Sequence, residues 1–202
     1  MTYLTDELKK AFPQQERIIG GSVTNINTYP YSAALLWSRN TISFRQNCGG
    51  TIINNRSVLT AAHLVPVAIT VFESGQPMPA AAAESIMVAN VSYIRNIIKE
   101  RWTMTSAGGH NPSEQLRHVQ IRTVPIPRCQ NAYPAFRITA GMICAAWDSP
   151  GRGSCQGDSG SPLIHNNVII GATSFGLHCA NPQFPTVYAR VAHFTNWIRS
   201  NA

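Results

Sequence analysis

From Ile18 onward the chain breaks into short apolar runs separated by Gly, Pro, Asn and Ser. The runs are Ser32–Trp37, Gly50–Ile53, Ser57–Thr60, Val119–Val124, Pro162–Ile164, Val168–Thr173 and Thr186–Val191. Runs of this length, closely punctuated by turn residues, predict an all-β barrel or sandwich. The C-terminus differs. Val191, Phe194, Trp197 and Ile198 recur at three- and four-residue spacing, which predicts a terminal amphipathic helix. Residues 65–101 fit the pattern poorly: Pro77-Met78-Pro79 and Ala80–Ala83 match no strand, and Ile86–Lys99 reads as strand or helix. There are no internal repeats.

A chain of 202 residues can build one sizeable core or two small packed subdomains. Charged residues make up only 12% of it, which argues against disorder. No apolar run approaches membrane-spanning length, so no membrane partner is expected. The formal charge is +7, but the basic residues are scattered rather than gathered into a stripe. That excludes the electrostatic footprint of a nucleic-acid binder. Thirteen of the sixteen basic residues are Arg, whose charge survives well above pH 10 and so suits an alkaline fluid. No histidine pair has metal-ligand spacing, so neither a metal nor another cofactor is expected.

The chemistry concentrates in Ser154-Cys155-Gln156-Gly157-Asp158-Ser159-Gly160-Ser161-Pro162. A serine set between glycines in such a turn can expose Ser159 Oγ. The same turn can aim the N–H groups of Gly157 and Ser159 at one point, where an oxyanion forms in acyl transfer. A serine hydroxyl needs an adjacent base. His63, at the end of Thr60-Ala61-Ala62-His63, is the candidate. Read alone, a lone histidine is more often a surface or satisfied core residue.

With Arg17-Ile18-Ile19-Gly20-Gly21 upstream, these strings resemble, in order and spacing, the trypsin/chymotrypsin family of serine endopeptidases. The family signatures are I-V/I-G-G, T-A-A-H-C and G-D-S-G-G-P. The resemblance implies two antiparallel β-barrels and a C-terminal α-helix. It implies an activation pro-segment at 1–17 and a protease domain at 18–202. The domain divides into a defective N-terminal barrel (18–101) and a C-terminal barrel with helix (102–202). About forty residues of the first barrel are missing relative to the family.

The resemblance also implies roles. His63 and Ser159 are catalytic, and cleavage after Arg17 frees the Ile18 amino group to pair with Asp158. Gly153 forms the pocket base, where an aspartate would select Arg or Lys. Ser174, Phe175 and Gly176 line a wall, and Thr186 narrows the slot, so the residue before the scissile bond is expected to be apolar and of small to medium size. Disulfides Cys129–Cys144 and Cys155–Cys179 are implied, hence an extracellular setting. Cys48 stands outside both pairs, because the family position of its partner is Leu64. No secretory signal is visible in 1–17.

Two features depart from the family. The imidazole needs a buried carboxylate, yet the aspartates are only Asp6, Asp148 and Asp158, none in the matching context, and Glu73, Glu84, Glu100 and Glu114 fare no better. Ser161 replaces the second glycine of G-G-P. The expected function is therefore a secreted digestive serine endopeptidase zymogen whose activity is compromised by the absent aspartate. Its partners are protein or peptide substrates, an activating protease and protein inhibitors, and it acts as a monomer. Two other readings stay open. One is a non-catalytic homologue that binds or regulates proteins, the other a truncated product that does not fold stably.

Overall fold

The structure, a computed structural model, describes residues 18–37, 45–62, 86–90 and 115–202. His63 and Arg17 lie outside them.

Eleven strands form three antiparallel sheets among the described residues. The first half supplies β2 (Ser32–Trp37), β3 (Arg45–Asn54), β4 (Ser57–Ala61) and β5 (Ile86–Asn90), ordered β2-β3-β4-β5. Leu35 pairs with Cys48, Thr51 with Leu59 and Ala61 with Ile86. The second half supplies β7 (Arg122–Val124), β8 (Met142–Ala146), β9 (Pro162–His165), β10 (Val168–Phe175) and β11 (Thr186–Arg190), ordered β7-β8-β11-β10-β9. A two-stranded ribbon, β1 (Ser22–Val23) with β6 (Arg117–His118), ties the start of the described chain to the second half.

Local chemistry explains several of these choices. β9 and β10 are joined through Asn166 and Asn167, both in the left-handed region at φ 48° and 61°. Asn tolerates that region, and two successive such residues make a tight hairpin whose twist matches its strands. In β4 every residue from Ser57 to Ala61 is buried. This strand lies between the halves, so its burial is continuous rather than alternating, even at the polar Ser57 and Thr60. Pro125 precedes α1 (Ile126–Ala132) and Pro127 sits in its first turn, where a missing N–H costs nothing. The chain ends in a 3-10 turn (Val191–Phe194) running into α2 (Thr195–Asn201).

The core is divided. Cys129, Tyr133, Ile138, Met142, Cys144 and Val187 fill the second half. Leu59 of β4 packs with Ala172 and Ala189 of the second sheet, and Val191, Phe194, Trp197 and Ile198 cover that contact. The C-terminal helix thus seals the seam between the two sheets. Among the described residues no helix is long and apolar enough to cross a membrane.

Expected and observed elements differ in places. Val119–Val124 is not one strand: only Arg122–Val124 is, as β7, and residues 119–121 link it to β6. Ile86–Asn90 resolves as strand. The helix at Ile126–Ala132 and the strand at Met142–Ala146 were not foreseen.

Candidate active site

The loop between Cys155 and Pro162 is held from three directions. Asp158 is buried, and its Oδ2 accepts hydrogen bonds from the backbone N–H groups of Ile18 and Cys155, each at 2.9 Å. Gly49 N–H of β3 donates to the Ser159 carbonyl at 2.7 Å, and Gly160 N–H donates to the Thr173 carbonyl of β10 at 2.7 Å. The Ser159–Gly160 peptide is therefore clamped by one strand of each sheet. Gly157 at φ 90° and Gly160 at φ 82° take conformations that side chains rarely adopt. A Cβ at Gly160 would also run into Thr60 Oγ1 and the Gly49 carbonyl. Among the described residues, the N–H groups of Gly157 and Ser159 have no backbone acceptor.

Ser161 has a physical account. Its hydroxymethyl group occupies the space where a Cβ on Gly49 would lie. Its N–H donates to Asp158 O and its carbonyl accepts from both Thr173 N–H and Thr173 Oγ1, at 2.9, 2.9 and 3.0 Å. A serine fits here because residue 49 has no side chain.

Ile18 sits at φ 36°. This is the left-handed region, which a β-branched residue enters only under constraint, at about 1–3 kcal/mol. Ile19 N–H donates to Gly153 O at 2.9 Å and Gly153 N–H returns a bond to Ile19 O at 3.2 Å. A Cβ on Gly20 would strike the Gly151 carbonyl. The segment from Ile18 to Gly20 is thus fastened both to Asp158 and to the loop ahead of the pocket.

Ser154, Cys155, Ser174, Phe175, Gly176 and Thr186 are among the residues that line a pocket beside this loop. Gly153 is buried against Ala180. Ser154 Oγ donates to Thr186 Oγ1 at 3.0 Å and lies 3.4 Å from the Tyr188 hydroxyl. Burial pushes the Tyr188 phenol up to about 12; the Asp158 charge adds to this, and hydrogen bonds with Ser154 and Thr186 oppose it. The phenol keeps its proton at neutral pH, and Ser154, Thr186 and His178 are among the residues that line the pocket.

Phe175 is braced from behind. Tyr133 meets it edge-on, donates its hydroxyl to Pro185 O at 2.8 Å and accepts the Leu177 N–H at 3.2 Å. The disulfides are Cys129–Cys144, joining α1 to β8, and Cys155–Cys179, whose two cysteines both line the pocket. Cys48 is buried with Ala61 and Leu35.

Asp148 forms an exposed ion pair with Arg122 at 2.6 Å. Arg122 and Arg152 lie over the Trp147 ring. Among the described residues no cluster could hold a metal ion. Sequence reasoning missed Ser154, Tyr188, Gly49 and Thr60. Tyr188 was within reach, since it lies two residues after Thr186 on one strand and so shares its face.

A family model described as Trypsin matches residues 18–78 and 97–198. Alkaline trypsin A of Manduca sexta is 38% identical, covering 95% of this chain and 93% of that protein. Trypsin CFT-1 of Choristoneura fumiferana is 37% identical, with 95% and 94% covered. Achelase-1 of Lonomia achelous is 33% identical, with 92% and 100% covered. Against alkaline trypsin B of Manduca sexta, 93% of the 202 residues, about 188, are spread over 235 aligned positions, so about 47 positions are gaps in this chain. The unmatched stretch 79–96 contains β5. With this fold and these relatives, the chain belongs to the trypsin/chymotrypsin family of serine endopeptidases.

Proposed function

We propose that the protein is a secreted zymogen, cleaved after Arg17, that hydrolyses peptide bonds through an acyl-enzyme on Ser159 with His63 as base. The observation that carries this reading is the Ile18 N–H on Asp158 Oδ2, one residue from Ser159. In the uncleaved chain this is an amide on a buried carboxylate. Cleavage turns the amide into an ammonium, so the carboxylate gains a full charge partner. It also removes the peptide bond that defines the disfavoured Ile18 torsion. Both effects favour the cleaved form in this arrangement.

Catalysis then follows general acyl transfer. His63 takes the Ser159 proton as Oγ attacks the carbonyl, and later returns it to the leaving amine. The Gly157 and Ser159 N–H groups receive the oxyanion. Residues 1–17 are the pro-segment, 18–101 the first barrel and 102–202 the second. The described aspartates leave the imidazole without a carboxylate. In a triad of intact geometry that loss costs about 10⁴-fold in kcat.

The pocket selects an uncharged side chain of small to medium size, because its floor is the Ser154–Thr186 hydroxyl pair. In this it departs from relatives named trypsins, and its role is extracellular digestion. The test is hydrolysis of chromogenic peptides by the Arg17-cleaved protein. Peptides with Ala, Val or Leu before the scissile bond should exceed Arg or Lys peptides about tenfold or more in kcat/KM, as a missing charge partner requires. Preference for Arg or Lys would overturn the pocket assignment.

A further inference from the structure

Thr60 is wholly buried in β4, and its Oγ1 donates to the carbonyl of Gly49 at 2.9 Å. The N–H of the same Gly49 donates to the Ser159 carbonyl at 2.7 Å. The peptide that follows Ser159 is held on its other side by Thr173 O. Thr60, Gly49 and Ser159 thus form a buried chain of two hydrogen bonds. It runs from β4, which ends two residues before His63 in sequence, through β3, to the nucleophile.

Nothing beside Gly160 is loose: a Cβ there would collide with Thr60 Oγ1 and Gly49 O. The hydroxyl therefore sits where three backbones converge, and its loss would leave a buried carbonyl short of a donor.

We infer that Thr60 is a positioning residue for Ser159, fixing the Gly49 residue that holds the nucleophile's own carbonyl. The inference rests on Ser159 being the nucleophile. Acyl transfer needs reacting atoms about 3–3.5 Å apart, and a shift of about 1 Å costs roughly a hundredfold in rate. A threonine serving only as filler would affect stability and leave the rate alone.

The test compares Thr60→Val, which keeps the shape and removes the hydroxyl, with Thr60→Ser, which keeps the hydroxyl. Two readouts are taken well below the unfolding temperature. One is kcat and KM, with the rate at which a serine-reactive phosphonate labels Ser159. The other is amide exchange at Gly49 and Gly160. Thr60→Val should lower kcat and labelling about ten- to a hundredfold with KM within about twofold. It should speed exchange at both amides about tenfold or more. Thr60→Ser should stay near the parent in both.

Parent-like rate and exchange in Thr60→Val overturn the inference, as does an equal fall in Thr60→Ser. If Thr60→Val fails to fold, Thr60→Cys replaces it, since its weak S–H donor should give the same loss. If the parent itself takes no label, the nucleophile assignment fails, and unchanged exchange in Thr60→Val would still sink the relay.

Discussion

Tyr188 is the titrating group most tightly built into the site. It is buried beside Ser154 and Thr186, and its pKa is raised from 10.0 to about 12, chiefly by burial. The sign follows from linkage. The native state keeps its proton in a range where the unfolded chain loses it, so the contribution is fully present below pH 10 and is lost as pH rises towards 12. A shift of this size corresponds to roughly 3 kcal/mol. The parent should therefore lose more stability between pH 10 and pH 12 than Tyr188→Phe, read as the difference in urea-unfolding free energies at the two pH values. Parallel pH curves would contradict the assignment. Single residues also mark how far sequence reading reached. The Gly157-Asp158-Ser159-Gly160 turn was legible because its glycines are required by positive torsions. Asp158 and Ile18 lie 140 residues apart, and only the family resemblance joined them. Ser154 and Gly49 were invisible, because their roles depend on what faces them across a pocket or a sheet.

At the scale of elements, β4 and β5 pair antiparallel in the first sheet. Their ladder ends at the Ala61–Ile86 pair. In sequence, His63 follows β4 by two residues and Ser85 immediately precedes β5. β5 also shows why part of the fold was illegible. Ile86-Met87-Val88-Ala89-Asn90 is a short apolar run with no turn signal to set it apart, and periodicity alone cannot assign such a run. β8 was hidden for a similar reason: Met142–Ala146 reads Met-Ile-Cys-Ala-Ala, and its strand character comes from pairing with β11 and β7. The strands that were legible, such as β2 and β10, are bounded by Gly, Pro or Asn.

Across the whole molecule, contacts between the two halves among the described residues include the β1–β6 ribbon, the Leu59 seam and the Ser159–Gly160 peptide. Leu59 packs into the second sheet beneath the C-terminal helix. The Ser159–Gly160 peptide is bonded to β3 on one side and β10 on the other. Truncating Leu59 to Ala should cost about 2–5 kcal/mol, as for other fully buried leucines, measurable as a lower urea midpoint at an unchanged m value. A loss below about 0.5 kcal/mol, typical of surface sites, would mean that the seam is not a core. The most direct measurement of the central claim is covalent. The Arg17-cleaved protein is treated with a serine-reactive phosphonate, and the adduct is located by peptide mass. The account predicts one adduct on Ser159, absent from Ser159→Ala. A folded, cleaved protein that takes no label, or takes it elsewhere, would contradict it.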